Sequence, residues 1–186
     1  MVKKYDVVIV GSGSGMFVAY ESVFRGLATA LIDKGPLGGT CPNLGCIPSK
    51  MLMLPADRVV EIDEAGKLGI EAQVTHIDFA FIMERMRRSV EEAQHQLRQS
   101  FAALRGLDFY EGTGRFVGEY EIEVGDTRVS GDRFFIATGS RPSVPPIPGL
   151  ESVSFLTTET LLDLTSRPRS MAIIGGGYIG VEYAHF

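Results

Sequence analysis

Residues 5–15, YDVVIVGSGSG, pass from a short apolar run rich in β-branched residues straight into a glycine turn. The nearly continuous run YDVVIV is what a strand covered on both faces requires. The segment that follows, MFVAYESVFRGL, places Phe17, Val18, Val23, Phe24 and Leu27 on one helical face and stops near Gly26. Residues 28–32, ATALI, give a second buried strand closing at Asp33. Strand, turn, helix and strand within about 30 residues form a βαβ unit, so the stretch predicts an α/β fold built on a parallel sheet.

A turn of this kind suits a dinucleotide, whose pyrophosphate needs close backbone approach and the unsatisfied N–H groups of a helix N-terminus. Gly11 and Gly13 fill the first two positions of the fingerprint, while Met16 stands at the third, where glycine normally lets helix and strand pack closely. Asp33, at the end of the second strand, is placed to accept hydrogen bonds from a ribose. A glycine turn in an α/β fold can also exist without a ligand, and the well-placed acid is what favours the nucleotide. The turn has an internal echo, AIIGGGYIGV, in which Gly175, Gly177 and Gly180 match the fingerprint completely. The acid that would meet its ribose falls beyond Phe186, so NAD and NADP are not distinguished.

Between the two turns, apolar residues from Phe79 to Leu104 recur at spacings of three and four with Gly106 as a stop, predicting one long amphipathic helix. Short alternating runs from Leu107 to Arg133 predict a small antiparallel meander, and RFFIATGS a buried strand returning to the main sheet. PSVPPIPG, at 142–149, holds four prolines and is the natural linker. A short helix is expected near 158–164, then a second strand, turn and helix. This gives a first domain over 1–149 and the start of a second nucleotide-binding domain over 150–186.

Composition narrows the setting. A 45% hydrophobic content supports a packed core, and a net charge of −5 without a Lys/Arg stripe argues against nucleic acid. The apolar run VVIV stops at Gly11 with no cleavage site after it, and no stretch approaches the roughly 20 apolar residues of a membrane span. A cytoplasmic protein is expected, where a disulfide is more often catalytic or redox-sensing than structural.

Both cysteines lie in residues 38–50, GGTCPNLGCIPSK. Cys41 and Cys46 lack the CxxC spacing of a zinc site, and His76, His95 and His185 are isolated, so no metal site is expected. Five residues apart on a regular helix, two cysteines sit too far round for a disulfide, but Pro42, Gly45 and Pro48 supply irregular backbone. Lys50 adds a nearby cation, which favours a thiolate. Two inert packed thiols remain the bland alternative to a redox pair.

GGTCPNLGCIPSK resembles the redox segment of the class I pyridine nucleotide-disulfide oxidoreductases, the family of dihydrolipoamide dehydrogenase and of glutathione, mycothione and mercuric reductases. VVIVGSGSG, ATGSRP at 137–142 and GGGYIGVE at 175–182 fall in the order that family implies. The resemblance implies a Rossmann-like FAD domain followed by an NAD or NADP domain. FAD contacts would come from Gly11, Gly13, Ser14, Gly15, Asp33, Lys34, Gly39, Thr40, Cys46 and Lys50, and from the backbones of Gly112, Thr113, Gly114, Ala137, Thr138 and Gly139. Gly175, Gly177, Tyr178, Ile179, Gly180 and Glu182 would serve the nicotinamide nucleotide.

By the same resemblance Cys46 would be the charge-transfer thiolate over the flavin, and Cys41 the interchange thiol that meets a dithiol or disulfide substrate. Lys50 would pair with Glu182 beside the flavin, and Tyr178 would cover the nicotinamide pocket. The family pattern also implies a homodimer and a C-terminal interface domain whose His–Glu pair does acid/base work. The 186 residues cover only the opening part of that pattern, so the expectation is an enzyme when intact and an inactive flavin-binding fragment as this chain alone.

Overall fold

A computed structural model describes residues 2–186. The chain divides into two compact units, Met1–Asn43 with Glu92–Arg141, and Leu44–Glu91 with Pro142–Phe186.

The first unit is built on a six-stranded sheet. Its strands are β1 (Val2–Val10), β2 (Thr29–Asp33), β3 (Leu107–Glu111), β4 (Gly114–Gly118), β5 (Glu121–Val124) and β6 (Thr127–Ile136), in the order β3-β2-β1-β6-β5-β4. β3, β2, β1 and β6 run parallel, while β5 and β4 continue antiparallel from β6. Val7, Ile9 and Leu31 pack with Ala19 of helix α1 (Gly15–Phe24) and with Phe101. Val8, Ala30 and Ile32 pack with Ile122, Val124 and Val129. The central strands are therefore covered on both faces, which is why their sequence shows continuous apolar runs rather than alternation.

Three expectations for this unit need correction. Leu107–Glu111 is not part of the meander, because it pairs with β2 in parallel along its whole length. RFFI is no separate strand either: it is the second half of β6, with Phe135 and Ile136 exposed. One strand thus serves both the meander and the parallel sheet, and no turn interrupts it. On α1, Phe17 and Phe24 are 72% and 88% exposed, whereas Gly15, Ala19 and Ser22 are buried. Close packing selected the small residues of the helix, with Met16, Val18 and Val23 flanking them.

The second unit centres on α3 (Cys46–Glu64) and the first half of the 25-residue α4 (Phe79–Ala103). Leu52, Met83, Met86, Leu161 and Leu162 form its core. Pro55 lies inside α3 and has no N–H to give to the Met51 carbonyl four residues back. Arg85 from α4 donates to that carbonyl at 2.8 Å, so the group orphaned by proline is satisfied. Arg87 donates to the Leu162 and Leu164 carbonyls. The helix expected near 158–164 is only a 3-10 turn over Leu161–Asp163. Residues 170–175 form no strand among the described residues, and Ile173 and Ile174 are exposed. A strand exists only through a neighbouring ladder, and α5 (Tyr178–His185) follows the turn without one.

Candidate functional site

The first glycine turn leaves β1 at Gly11, which has φ +99. A Cβ there would lie 2.1 Å from the Ala137 carbonyl oxygen, a backbone atom that has no room to yield. Gly11 donates to the Ile32 carbonyl at 2.8 Å, and Ala137 to the Val10 carbonyl at 2.7 Å. The two strand exits are thus locked together around the turn. A Cβ on Gly15 would come 2.7 Å from Ile9 Cγ2 and 3.3 Å from Ala137 Cβ. Gly15 therefore makes the close helix–strand approach, which explains why Met16 is tolerated at the fingerprint's third position.

Gly39 closes the turn from the other side: its Cβ would lie 2.7 Å from the Gly13 Cα. Ser12, fully buried, donates its N–H to Asp33 Oδ2 at 2.5 Å and accepts at Oγ from the Gly38 N–H at 2.9 Å. Asp33 Oδ1 accepts from the Gly35 N–H at 2.7 Å. Each carboxylate oxygen has further lone-pair capacity, so Asp33 can fix the turn and still accept a ribose hydroxyl. The Gly112 N–H donates to the Asp33 carbonyl at 2.8 Å, which brings the loop holding Thr113 to the same strand ends. Lys34, Thr40, Thr113, Thr138, Gly139 and Ser14 are exposed.

Asn43, unremarked in sequence, is buried and donates through one amide nitrogen to the Leu37 and Gly39 carbonyls at 2.9 and 2.7 Å. Gln94 of α4 donates to the same Leu37 carbonyl at 2.6 Å. These amides hold the Leu37–Gly39 loop against the turn. The only sequence signal was an amide in the midst of a Gly/Pro-framed segment.

Cys41 lies in the short helix α2 (Thr40–Leu44) of the first unit, and both cysteines are exposed thiols. Gly45, with φ −128 and ψ −113, ends one helix and precedes the next. Cys46 opens α3 in the second unit, with Pro48 in the first turn, where its missing N–H costs nothing. One turn on, Lys50 Nζ lies 2.5 Å from Glu182 Oε1 of α5. Ser49 Oγ lies 3.1 Å from Glu182 Oε2. Lys50 first, and Ser49 in addition, hold the Glu182 carboxyl below the usual range against the opposing effect of desolvation. Burial and the Glu182 charge raise the Tyr183 hydroxyl.

α5 is fixed at its other end by His185 Nε2, 2.7 Å from Asp57 Oδ1 on α3. A Cβ on Gly180 would lie 2.4 Å from the Gly175 carbonyl oxygen, so the second turn also demands glycine at its close approach. Gly175 has φ +109, and Gly177 precedes the helix as its cap. Tyr178 is 79% exposed, and Ile179 is also exposed. Among the described residues no group of three or more His, Cys, Asp or Glu side chains converges as a metal site, and no helix is long and apolar enough to cross a membrane.

The model of the family described as pyridine nucleotide-disulphide oxidoreductase matches residues 5–186. The chain belongs to this family. Among curated members, a mercuric reductase from Lysinibacillus sphaericus is 36% identical over 180 residues, covering 96% of the chain and 33% of the relative. A dihydrolipoyl dehydrogenase from Bacillus subtilis is 34% identical, covering 99% of the chain and 42% of the relative. The HOCl-induced flavoprotein disulfide reductase RclA from Escherichia coli superposes with a TM-score of 0.82 at 31% identity, covering 97% of the chain and 39% of that structure. The chain thus spans between a third and about two-fifths of the length of these oxidoreductases. Their kinship accounts for the mixed α/β architecture and the Rossmann-like turn of the first unit.

Proposed function

We propose that this chain is the electron-transfer part of an FAD-dependent disulfide oxidoreductase that moves electrons between NAD(P)H, FAD and the pair Cys41 and Cys46. The observation that carries the reading is the Lys50–Glu182 ion pair one turn from Cys46, with Ser49 on the second carboxylate oxygen. Family membership supplies its context.

The first turn fits a dinucleotide on its own geometry. Gly11 and Gly15 let strand, turn and helix close up where a Cβ would strike Ala137 or Ile9, Gly13 and Gly39 leave bare backbone as a cradle, and α1 begins there with the N-terminal end of its dipole, which favours a phosphate. Asp33 would accept from a ribose. When bound, FAD supplies the two-electron chemistry and the nicotinamide nucleotide the hydride.

The chain's residues then hold and move sulfur and charge. The Cys41 thiolate attacks a substrate disulfide, an S–S bond forms between them, and one substrate sulfur leaves as thiolate. Attack by the Cys46 thiolate on the Cys41 sulfur expels the second substrate sulfur as a thiolate, which solvent protonates, and leaves Cys41 and Cys46 as a disulfide. Lys50, one turn on from Cys46, places a cation on the same helix, and Glu182 holds it. Gly175, Gly177, Gly180 and the exposed Tyr178 form the nicotinamide side.

The substrate we favour is a lipoyl group, whose disulfide this exchange reduces and whose dithiol the reverse exchange oxidises, with the intact protein a cytoplasmic homodimer. Mercuric ion is the second reading, favoured by the 36% identity of two mercuric reductases. Purified protein should show the visible absorption bands of bound flavin, and their loss in Gly13→Ala tests the cradle. With the full-length protein, NADH-driven reduction of lipoamide against that of Hg(II) separates the two substrates. Colourless protein that binds no added FAD overturns the reading.

A further inference from the structure

Ser49 has one hydroxyl hydrogen and two acceptors. Its Oγ lies 3.1 Å from Glu182 Oε2 and 3.2 Å from the carbonyl oxygen of Cys46, in a residue only 5% exposed. A serine hydroxyl donates one hydrogen bond at a time. An ionised Glu182 is an acceptor only, so the Ser49 hydrogen then points to Oε2. A protonated Glu182 can instead donate to Ser49 Oγ, and the serine hydrogen is released towards the Cys46 carbonyl. The two arrangements use the same atoms and differ only in where two protons lie.

We propose that Ser49 is a positioning residue whose hydroxyl couples the protonation state of Glu182 to the first turn of α3, which carries Cys46. The proposal rests on the reading of Cys46, Lys50 and Glu182 as one redox site, and it adds a residue that spacing and family resemblance left unassigned. Ionised Glu182 is held in place from two directions, by Lys50 on Oε1 and Ser49 on Oε2. Without Ser49 the carboxylate keeps one anchor and is free to turn about it. Two other charged groups on these helices have partners of their own: His185 of α5 meets Asp57 of α3, and Arg85 of α4 is turned to the Met51 carbonyl. Tyr183, beside Glu182 on α5, is kept protonated by burial first and by the Glu182 charge second. Ser49 is therefore the group positioned to report Glu182 to Cys46.

The test is a carbon-detected NMR titration of the 186-residue chain labelled at the Glu182 carboxyl and the Cys46 carbonyl. In the wild-type chain the Cys46 carbonyl shift should follow the Glu182 titration with the same midpoint. Ser49→Ala should move the Glu182 midpoint upward and erase the inflection at Cys46, and Ser49→Thr, which keeps the hydroxyl, should restore both. An unmoved midpoint or a surviving inflection in Ser49→Ala overturns the proposal. Should that variant fail to fold, Glu182→Gln decides: the Cys46 inflection must vanish, and its persistence rejects the coupling. No flavin is needed, so a negative result here stands apart from failure to bind FAD, which absorbance reads.

Discussion

A Cβ on Gly11 would lie 2.1 Å from the carbonyl oxygen of Ala137, so the exits of β1 and β6 meet at a contact that only glycine permits. Gly11→Ala meets both this overlap and a φ of +99, and should destabilise the first unit by about 2 kcal/mol or more in urea unfolding. Gly13→Ala is the informative contrast. Its Cβ would stand 3.8 Å from the Gly39 Cα, an ordinary contact. We expect a stability change within about 0.5 kcal/mol and a loss of flavin binding, because the new methyl occupies the cradle.

Arg85 and Pro55 should be energetically coupled through the Met51 carbonyl. Arg85→Met leaves that part-buried acceptor without its 2.8 Å partner, at a cost of about 1 kcal/mol. Pro55→Ala supplies the missing helical N–H, so the same arginine substitution should cost less in that background. A double-mutant cycle by chemical unfolding measures the difference, and strict additivity contradicts the account.

Acid should weaken the hold of Lys50 on Glu182. In the unfolded chain this carboxyl titrates at about 4.3, and in the folded chain Lys50 and then Ser49 hold it lower despite desolvation. The ion pair's stabilisation is therefore fully present above the unfolded value and disappears as pH falls through the lowered one. The Tyr183 ring resonances should report the change, and Glu182→Gln should remove it. A response unaltered in Glu182→Gln assigns the transition to another group.

The two cysteines should separate by spectrum in the flavin-loaded full-length protein. Cys41→Ser should leave flavin bound while abolishing thiol–disulfide exchange. Cys46→Ser should also remove the long-wavelength charge-transfer absorption. A band that survives in Cys46→Ser reverses the assigned order.

The parts of the fold legible in sequence were those set by local pattern. YDVVIV and ATALI announced covered strands, and the spacing from Phe79 to Leu104 announced α4. Phe17 and Phe24 misled because periodicity counts apolar residues, whereas packing on α1 favoured glycine, alanine and serine at the closest approach. Leu107–Glu111 misled because its alternation is the same whether its partner is parallel or antiparallel, and only β2 decided the matter. In the site, Lys50 and Glu182 were paired by resemblance 132 residues apart and do meet. Ser12, Asn43 and Ser49 were missed, since a small polar side chain advertises its partners in no spacing pattern.

By itself the sequence determined the glycine turns, the covered strands and the long helix, and it set both cysteines and Lys50 within GGTCPNLGCIPSK. These depend on backbone freedom, side-chain periodicity and residue type, all written locally. Only the tertiary structure decided that Gly15 rather than residue 16 makes the close approach, that Arg85 satisfies the carbonyl Pro55 orphans, and that Ser49 stands between Cys46 and Glu182. Each is a contact between atoms distant in the chain or aimed by a particular rotamer, and such contacts are fixed by packing and hydrogen-bond satisfaction in three dimensions.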